Sequence, residues 1–304
     1  MQSPFRSDCL EGKIALVTGG GSGICYEITH QLLQHGAAGA VICGRRRSFL
    51  ERSSKLLMQQ KGHRTLTVLY QVCDVRDPDQ CQQAVKYALD QFGRLDILVN
   101  GAAGNFLAEA RSLSPKGFAT VMAIDAQGTF NMCHAAYPAL AAQAAKSSSH
   151  NSQHDLPVII NISATLHYGA TWWQSHPSAA KAAVDSLTRS LALEWGSDQI
   201  RVVGIAPGPT ADTPGTTKLA PDVDAQAMQD MVTQGIPLGR LIEKLELGHA
   251  AVYLCTARNV TGHVLVVDGG EWLYRPSVVP KEMVSELSRK VEAKSRSQAP
   301  QSML

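Results

Sequence analysis

Seven short apolar runs, separated by longer segments of helical spacing, restrict this chain more than any other feature. They are "IALVTG" (14–19), "GAVIC" (39–43), "TLTVLYQV" (65–72), "LDILVN" (95–100), "VIINIS" (158–163), "IRVVGIAP" (200–207) and "HVLVVDGG" (263–270). A strand with one wet face alternates apolar and polar residues; these runs are nearly continuous, so both faces of each are expected to be covered. In the intervening segments apolar residues recur every three or four positions, as at Ala180, Val184, Leu187, Leu191 and Trp195. Strand and helix in alternation predict the α/β class, a single domain with one doubly wound parallel sheet of seven strands and helices on both faces.

Composition narrows the function classes. With 44% hydrophobic and 18% charged residues in 304, the chain can bury a sizeable core. A formal net charge of +2 gives no electrostatic case for nucleic acid, and no apolar run is long enough for stable membrane insertion. The start "MQSPFRSDCL" lacks a secretory apolar stretch. The seven cysteines form no C-x-x-C pair, and several sit inside apolar runs, so they read as small core residues in a reducing compartment, with no metal site or disulfide.

Two stretches break the rhythm. "QAAKSSSHNSQHDLP" (143–157) is polar and reads as a solvated surface insertion; His150 and His154 lack further metal ligands. After Pro280, "KEMVSELSRKVEAKSRSQAPQSML" reads as a short charged helix and a mobile tail, so the chain divides into one main domain at 1–279 and a tail at 280–304.

The first strand runs into "VTGGGSGIC" (17–25) and then a helix-patterned segment. Glycines let such a turn tighten and let backbone approach a pyrophosphate, while the helix N-terminus favours its charge. Gly19, Gly20, Gly21, Ser22, Gly23 and Ile24 are therefore candidate cofactor residues in a Rossmann-type fold. Cys25 stands where a further packing glycine is usual, a small adjustment. The second strand ends in "CGRRR", and no Asp or Glu occurs between Glu27 and Glu51. NAD binders place a carboxylate there for the ribose hydroxyls, whereas arginine suits a 2′-phosphate. Arg45, with Arg46 as its rival, therefore points to NADPH. Asp74 in "CDVRD" is placed to accept from the adenine amino group, and "NGAAG" (100–104) puts small residues against the cofactor.

These motifs, with "IDAQGTF", "NISA", "SAAKAAVDSLTRSLALEWG", "IRVVGIAPGP" and "TGHVLVVDGG", resemble the short-chain dehydrogenase/reductase family over roughly residues 10 to 275. The family's usual site is an asparagine, a serine, a tyrosine and a lysine. Here only Lys181 survives; Asp125, Ala164 and Pro177 stand at the other three positions. This pattern of losses resembles the members that reduce 2,4-dienoyl-CoA to trans-3-enoyl-CoA with NADPH in the peroxisomal oxidation of unsaturated fatty acids. The resemblance implies that Asp125 and Lys181 are catalytic and that Lys181, Pro207, Gly208 and Thr213 contact the cofactor. It implies acyl-CoA contacts at Arg45, Arg76, Phe106, Ser114, Pro115, Lys116 and Lys218, and a homo-oligomer. The terminal "SML" matches two letters of a peroxisomal address, implying an import receptor as partner.

The chemistry explains why a phenol is dispensable. A ketone takes a proton on oxygen, but a dienoyl thioester reduced at its δ carbon becomes a dienolate that takes its proton on the α carbon. The expectation is that Lys181 grips the nicotinamide ribose and supplies positive charge, while Asp125 orients a proton-donating water. His176 reads as a solvent-facing histidine at a helix entrance, and Tyr168 as an aromatic lining the substrate channel. Trp172 and Trp173 suit either an acyl-chain wall or core packing. Two other readings stand: a different enoyl-CoA or carbonyl reductase of the family, and a non-catalytic nucleotide-binding member.

Overall fold

Every apolar run becomes a parallel strand: β1 Ile14–Thr18, β2 Gly39–Gly44, β3 Thr67–Val72, β4 Ile97–Asn100, β5 Val158–Ile162, β6 Arg201–Pro207 and β7 Val264–Val267. Their order across the sheet is β3-β2-β1-β4-β5-β6-β7. This computed structural model describes residues 3–59, 67–149, 156–213, 225–276 and 283–297.

Sheet register shows why the runs are continuous. Leu69, Val41, Leu16, Leu98, Ile159 and Val202 stand side by side across six strands and point into one core. The next row along, Tyr70, Ile42, Val17, Val99, Ile160 and Val203, points into the other core. Helices cover each face. On the second side lie α1 (Gly23–Gln34), α2 (Arg47–Met58) and α8 (Lys244–Thr256); on the first lie α3 (Pro78–Phe92), α5 (Gly128–Ser149) and the end of α6 (Ser175–Glu194). The remaining helices are α4 (Pro115–Met122), α7 (Ala225–Gly235) and α9 (Val284–Ser297). A π turn, Ala123–Gln127, joins α4 to α5 without a break.

The chain forms two compact units, Met1–Trp272 and Leu273–Leu304. The first holds the sheet; in the second, α9 carries charged side chains that are exposed over its described length.

One expectation is corrected. The polar stretch at 143–157 begins as helix, because α5 continues to Ser149, with Gln143 and Ala144 buried. The buried series Met132, Ala136, Leu140 and Ala144 keeps one face of α5 on the core. Serine-rich composition masked that stripe. His150 and His154 lie outside the described residues. No described helix is long and apolar enough to cross a membrane, and no metal-like cluster of His, Cys, Asp or Glu occurs among the described residues.

A buried arginine ties β6, next to the edge strand β7, to α8. Arg201, 4% exposed, donates to the carbonyls of Leu254, Cys255, Ala257 and Val260. These oxygens lie at and just beyond the helix end, where carbonyls lack helical partners. Arg201→Met is expected to lower stability by about 2 kcal/mol, since it strands buried acceptors. Denaturant unfolding that leaves the midpoint unchanged would show that the arginine is dispensable.

Candidate active site

The strand order reverses at β1, whose neighbours β2 and β4 lead in opposite directions. Doubly wound sheets bind ligands at such a point, beyond the carboxyl ends of the strands. A cavity of about 560 Å³ opens there. Gly19, Gly21, Ser22, Gly23 and Ile24 line it, from the end of β1 into the first turn of α1. Gly19 has φ +70°, and a Cβ there would stand 2.6 Å from the Gly101 carbonyl oxygen, so backbone fills the space a side chain would need. Gly20 does not line the cavity; it packs on Ile42, which a Cβ would meet at 2.8 Å.

Cys25 proves more than a small adjustment. Its thiol is buried, which pushes its pKa up to about 12, so it acts as a neutral packing group. A Cβ at Gly101 would lie 1.9 Å from its sulfur. Cys25 therefore occupies room that exists only because residue 101 has no side chain. Thr18 secures the same crossing, accepting from the Gly101 and Ala102 amides at 3.0 and 3.2 Å.

Arg45 and Arg46 line the cavity beyond β2, with the Arg46 guanidinium 4.0 Å above the Phe49 ring. Asp74 lines it too, but its carboxylate is gripped by Arg76, whose Nε donates at 2.9 Å. That contact holds Asp74 below its ordinary pKa, and Arg45 adds to the effect. Arg76 itself does not line the cavity. Glycines that leave room for a pyrophosphate and a helix N-terminus that favours its charge fit a dinucleotide, with two arginines beside the second strand.

At the other end lie Ile162, Ser163, Lys181, Pro207 and Thr213. Gly208 stands back from the wall and packs on Asp268, whose Cβ a side chain there would approach to 2.6 Å. A buried relay, Asn100 to Asn161 at 2.9 Å and Asn161 to Thr188 at 2.9 Å, ties the ends of β4 and β5 to α6. This fixes α6, and Lys181 with it. The Lys181 ammonium donates to the Ile162 carbonyl at 2.9 Å and lies 3.1 Å from Asp125 Oδ2. Asp125 is 1% exposed, and its Oδ1 accepts from the Gly104 amide at 2.7 Å. The carboxylate thus locks the π turn, the 101–105 segment and α6 together. It sits behind the cavity wall, while Lys181 forms part of that wall.

Pro177, at the tyrosine position, is buried in the first turns of α6. Beside it the structure corrects a second expectation. His176 is not solvent-facing; it is 0% exposed and stacks on Phe106 with ring centroids 4.3 Å apart. A polar residue at a helix start reads as exposed only while its distant cover is unknown, and Phe106 provides that cover.

Tyr168 belongs to another network. Buried Asp185 accepts from Ser163, from Tyr168 at 3.1 Å and pairs with His167 at 2.8 Å. Burial and the Asp185 charge push the Tyr168 phenol far up, so it is no stand-in for the missing acid. Tyr168 does not line the cavity; Ser163 does, a residue the sequence reading passed over although it adjoins Ala164 in "NISA".

The expected acyl-CoA residues do not converge on one place, and Arg76 stands outside the cavity wall, bound to Asp74. Arg45 lies in the cavity wall, as described. Phe106, 41% exposed, meets the start of α4, where a Cβ on Gly117 would touch its ring at 3.3 Å. Ser114 caps that helix by accepting from the Gly117 amide at 3.0 Å, with Pro115 and exposed Lys116 in the first turn. Trp172 and Trp173 are 81% and 53% exposed, so they are not core residues. The Ala108 amide donates to the Trp173 carbonyl at 2.9 Å, holding the tryptophan segment beside Phe106 and Leu107. Lys218 lies outside the described residues.

A family model described as enoyl-(acyl carrier protein) reductase matches residues 19–271. The chain is 49% identical to the peroxisomal 2,4-dienoyl-CoA reductase, (3E)-enoyl-CoA-producing, of Arabidopsis thaliana over 97% of its own length and 96% of the relative's. It is 41% identical to the protein of the same description from Danio rerio, over 88% and 84%. Among solved structures, 3-ketoacyl-(acyl-carrier-protein) reductase from Brucella melitensis, complexed with NADH, superposes with TM-score 0.75 at 30% identity, covering 86% of this chain and 99% of that one. The sheet is thus of a recognised kind, and the chain belongs to the short-chain dehydrogenase/reductase family.

Proposed function

We propose that this chain is a peroxisomal oxidoreductase that reduces 2,4-dienoyl-CoA to (3E)-enoyl-CoA with NADPH. The observation that carries the reading is the buried Asp125–Lys181 pair at the cavity wall, 3.1 Å apart, with Pro177 where a phenol would stand. The relatives named above support the substrate, and Arg45 and Arg46 support NADPH over NADH.

Gly19, Gly21, Ser22, Gly23 and Ile24 would hold the pyrophosphate, Arg45 and Arg46 the 2′-phosphate, and Lys181, Pro207 and Thr213 the nicotinamide side. Bound NADPH supplies the hydride that the δ carbon accepts. Lys181 presents a fixed positive charge where negative charge spreads toward the thioester oxygen. Asp125 holds that ammonium in place, and we assign to its Oδ2 the further task of orienting a water that protonates the α carbon. Phe106 and the start of α4 are the acyl-CoA contacts of this reading, joined by Arg45 and Arg76. Assembly of several copies and capture of the tail by an import receptor belong to the same reading.

The test is an assay with 2,4-hexadienoyl-CoA, a 2-enoyl-CoA control, and NADPH against NADH. Dienoyl-dependent NADPH loss with (3E)-hexenoyl-CoA as product is expected. Arg45→Ala is expected to raise the Kd for NADPH about tenfold, the scale of one lost charge-assisted contact, while leaving NADH nearly unchanged. Turnover of the 2-enoyl control or a ketone without the dienoyl substrate would select another reductase, and cofactor binding with no turnover a non-catalytic member.

A further inference from the structure

The imidazole of His176 adjoins the site, and the reading above gives it no task. It lies immediately before Pro177 and is fully buried, with neither ring nitrogen in a hydrogen bond of good geometry. A phenylalanine would stack on Phe106 equally well without stranding two polar atoms, so packing alone does not account for a histidine. It is also not alone. Asn105 Oδ1 and Gln174 Nε2 are buried and unpartnered. Asn105 precedes Phe106 and lines the cavity, and Gln174 stands just before the helix that begins with Ser175 and His176, its side chain making no capping bond. The 104–108 segment is stitched to this helix start by the Phe106–His176 stack and the Ala108–Trp173 bond, and to Asp125 through Gly104. Buried polar atoms gathered at one junction beside a cavity are the setting in which solvent is held and protons are passed.

We propose that His176 is the proton relay of this site, exchanging a proton with the water at Asp125 and so replacing the missing phenol as its protonatable group. The proposal deepens the dienoyl-CoA reading and rests on it. In the step, an N–H bond of the protonated (imidazolium) ring breaks and leaves its electron pair on nitrogen, giving the neutral imidazole; the water takes up that proton and releases one of its own toward the α carbon. The dienolate's electron pair forms the new C–H bond at the α carbon, and the ring then takes a proton from solvent.

The electrostatics suit a relay. Burial pulls the His176 pKa down, while the Phe106 backbone and Asp125 oppose that pull. Asp125, from the π turn, is the charged side chain that acts on the ring; Lys181, on the same helix, is paired to that carboxylate. Lys116 on α4, and Glu109 and Arg111 in the preceding loop, are exposed. Only the protonated ring can deliver a proton, and burial lowers its pKa, so kcat should fall as pH rises through the acid side of the 5–8 range typical of histidine.

The test compares His176→Phe, which keeps the stack, and His176→Gln, which keeps a polar group but cannot titrate. Each is followed by kcat against pH, by KM, by NADPH binding and by thermal melting. Both variants are expected to bind NADPH within about threefold of wild type, to lose about 10- to 100-fold in kcat, and to lose the alkaline fall. The solvent deuterium isotope effect should grow as proton delivery becomes limiting. A folded His176→Phe with wild-type kcat and pH profile overturns the relay and makes His176 a packing residue. Should neither variant fold, the wild-type profile decides: a flat one overturns the relay, and a fall across that range sustains it. Wild-type protein inert toward dienoyl-CoA would instead overturn the activity on which the proposal rests, a result separable from the first.

Discussion

Lys181→Met is expected to lower kcat/KM about a thousandfold and to lower stability by about 3 kcal/mol, and the two losses should be separable. Methionine preserves the stem of the side chain, so the change removes charge more than volume. On the proposed mechanism the rate falls because, among the described residues, no other cation lines that end of the cavity, so the developing dienolate loses its electrostatic support. Stability falls for a different reason. Asp125, 1% exposed, keeps only the Gly104 amide at 2.7 Å, and a buried carboxylate without its counterion costs about 3–5 kcal/mol. The double variant Asp125→Asn with Lys181→Met should therefore regain most of the lost stability and none of the activity. Calorimetry and the dienoyl-CoA assay on the same samples check both. A double variant as unstable as the single one would mean that the pair is not what secures this part of the fold.

Gly101→Ala is expected to cost about 3 kcal/mol, at the upper end of ordinary overpacking, and to weaken NADPH binding at least tenfold. The new methyl would meet the Cys25 sulfur at 1.9 Å, and the Gly101 backbone cannot retreat. Its amide is held by Thr18 at 3.0 Å, and its carbonyl already faces Gly19. Moving either segment reshapes the glycine turn to which the proposed function assigns the pyrophosphate. Adding Cys25→Gly should restore both stability and cofactor affinity, whereas Cys25→Gly alone leaves a small void costing about 1 kcal/mol. Thermal melts and fluorescence titration with NADPH decide it. Failure of the second change to rescue the first would place the clash elsewhere.

The strands were legible because covering both faces leaves the same mark on every run, and the register rows through Leu16 and Val17 are the physical form of that mark. The glycine turn was legible for a similar reason: Gly19 has a local backbone need that the neighbouring residues announce. Asp125 and Lys181 were recognised through motifs, and their contact depends on a turn that no periodicity reveals. What stayed hidden was set by partners remote in sequence. His176 looked exposed because Phe106 covers it, and Cys25 looked trivial because its significance lies in the missing side chain of Gly101. The end of α5 was obscured by serines that a helix tolerates when alanines such as Ala144 hold the core.

The π turn at Ala123–Gln127 holds one more residue than a regular helix would place there. Excising Ala126 would give a continuous rod with every amide in its ordinary i to i−4 bond. It would also swing everything on one side of the cut by about 100° relative to the other. Asp125 could then keep its alignment with α4 or with α5, but not with both. The local irregularity is thus a joint that lets two rods of fixed pitch present one carboxylate to a third.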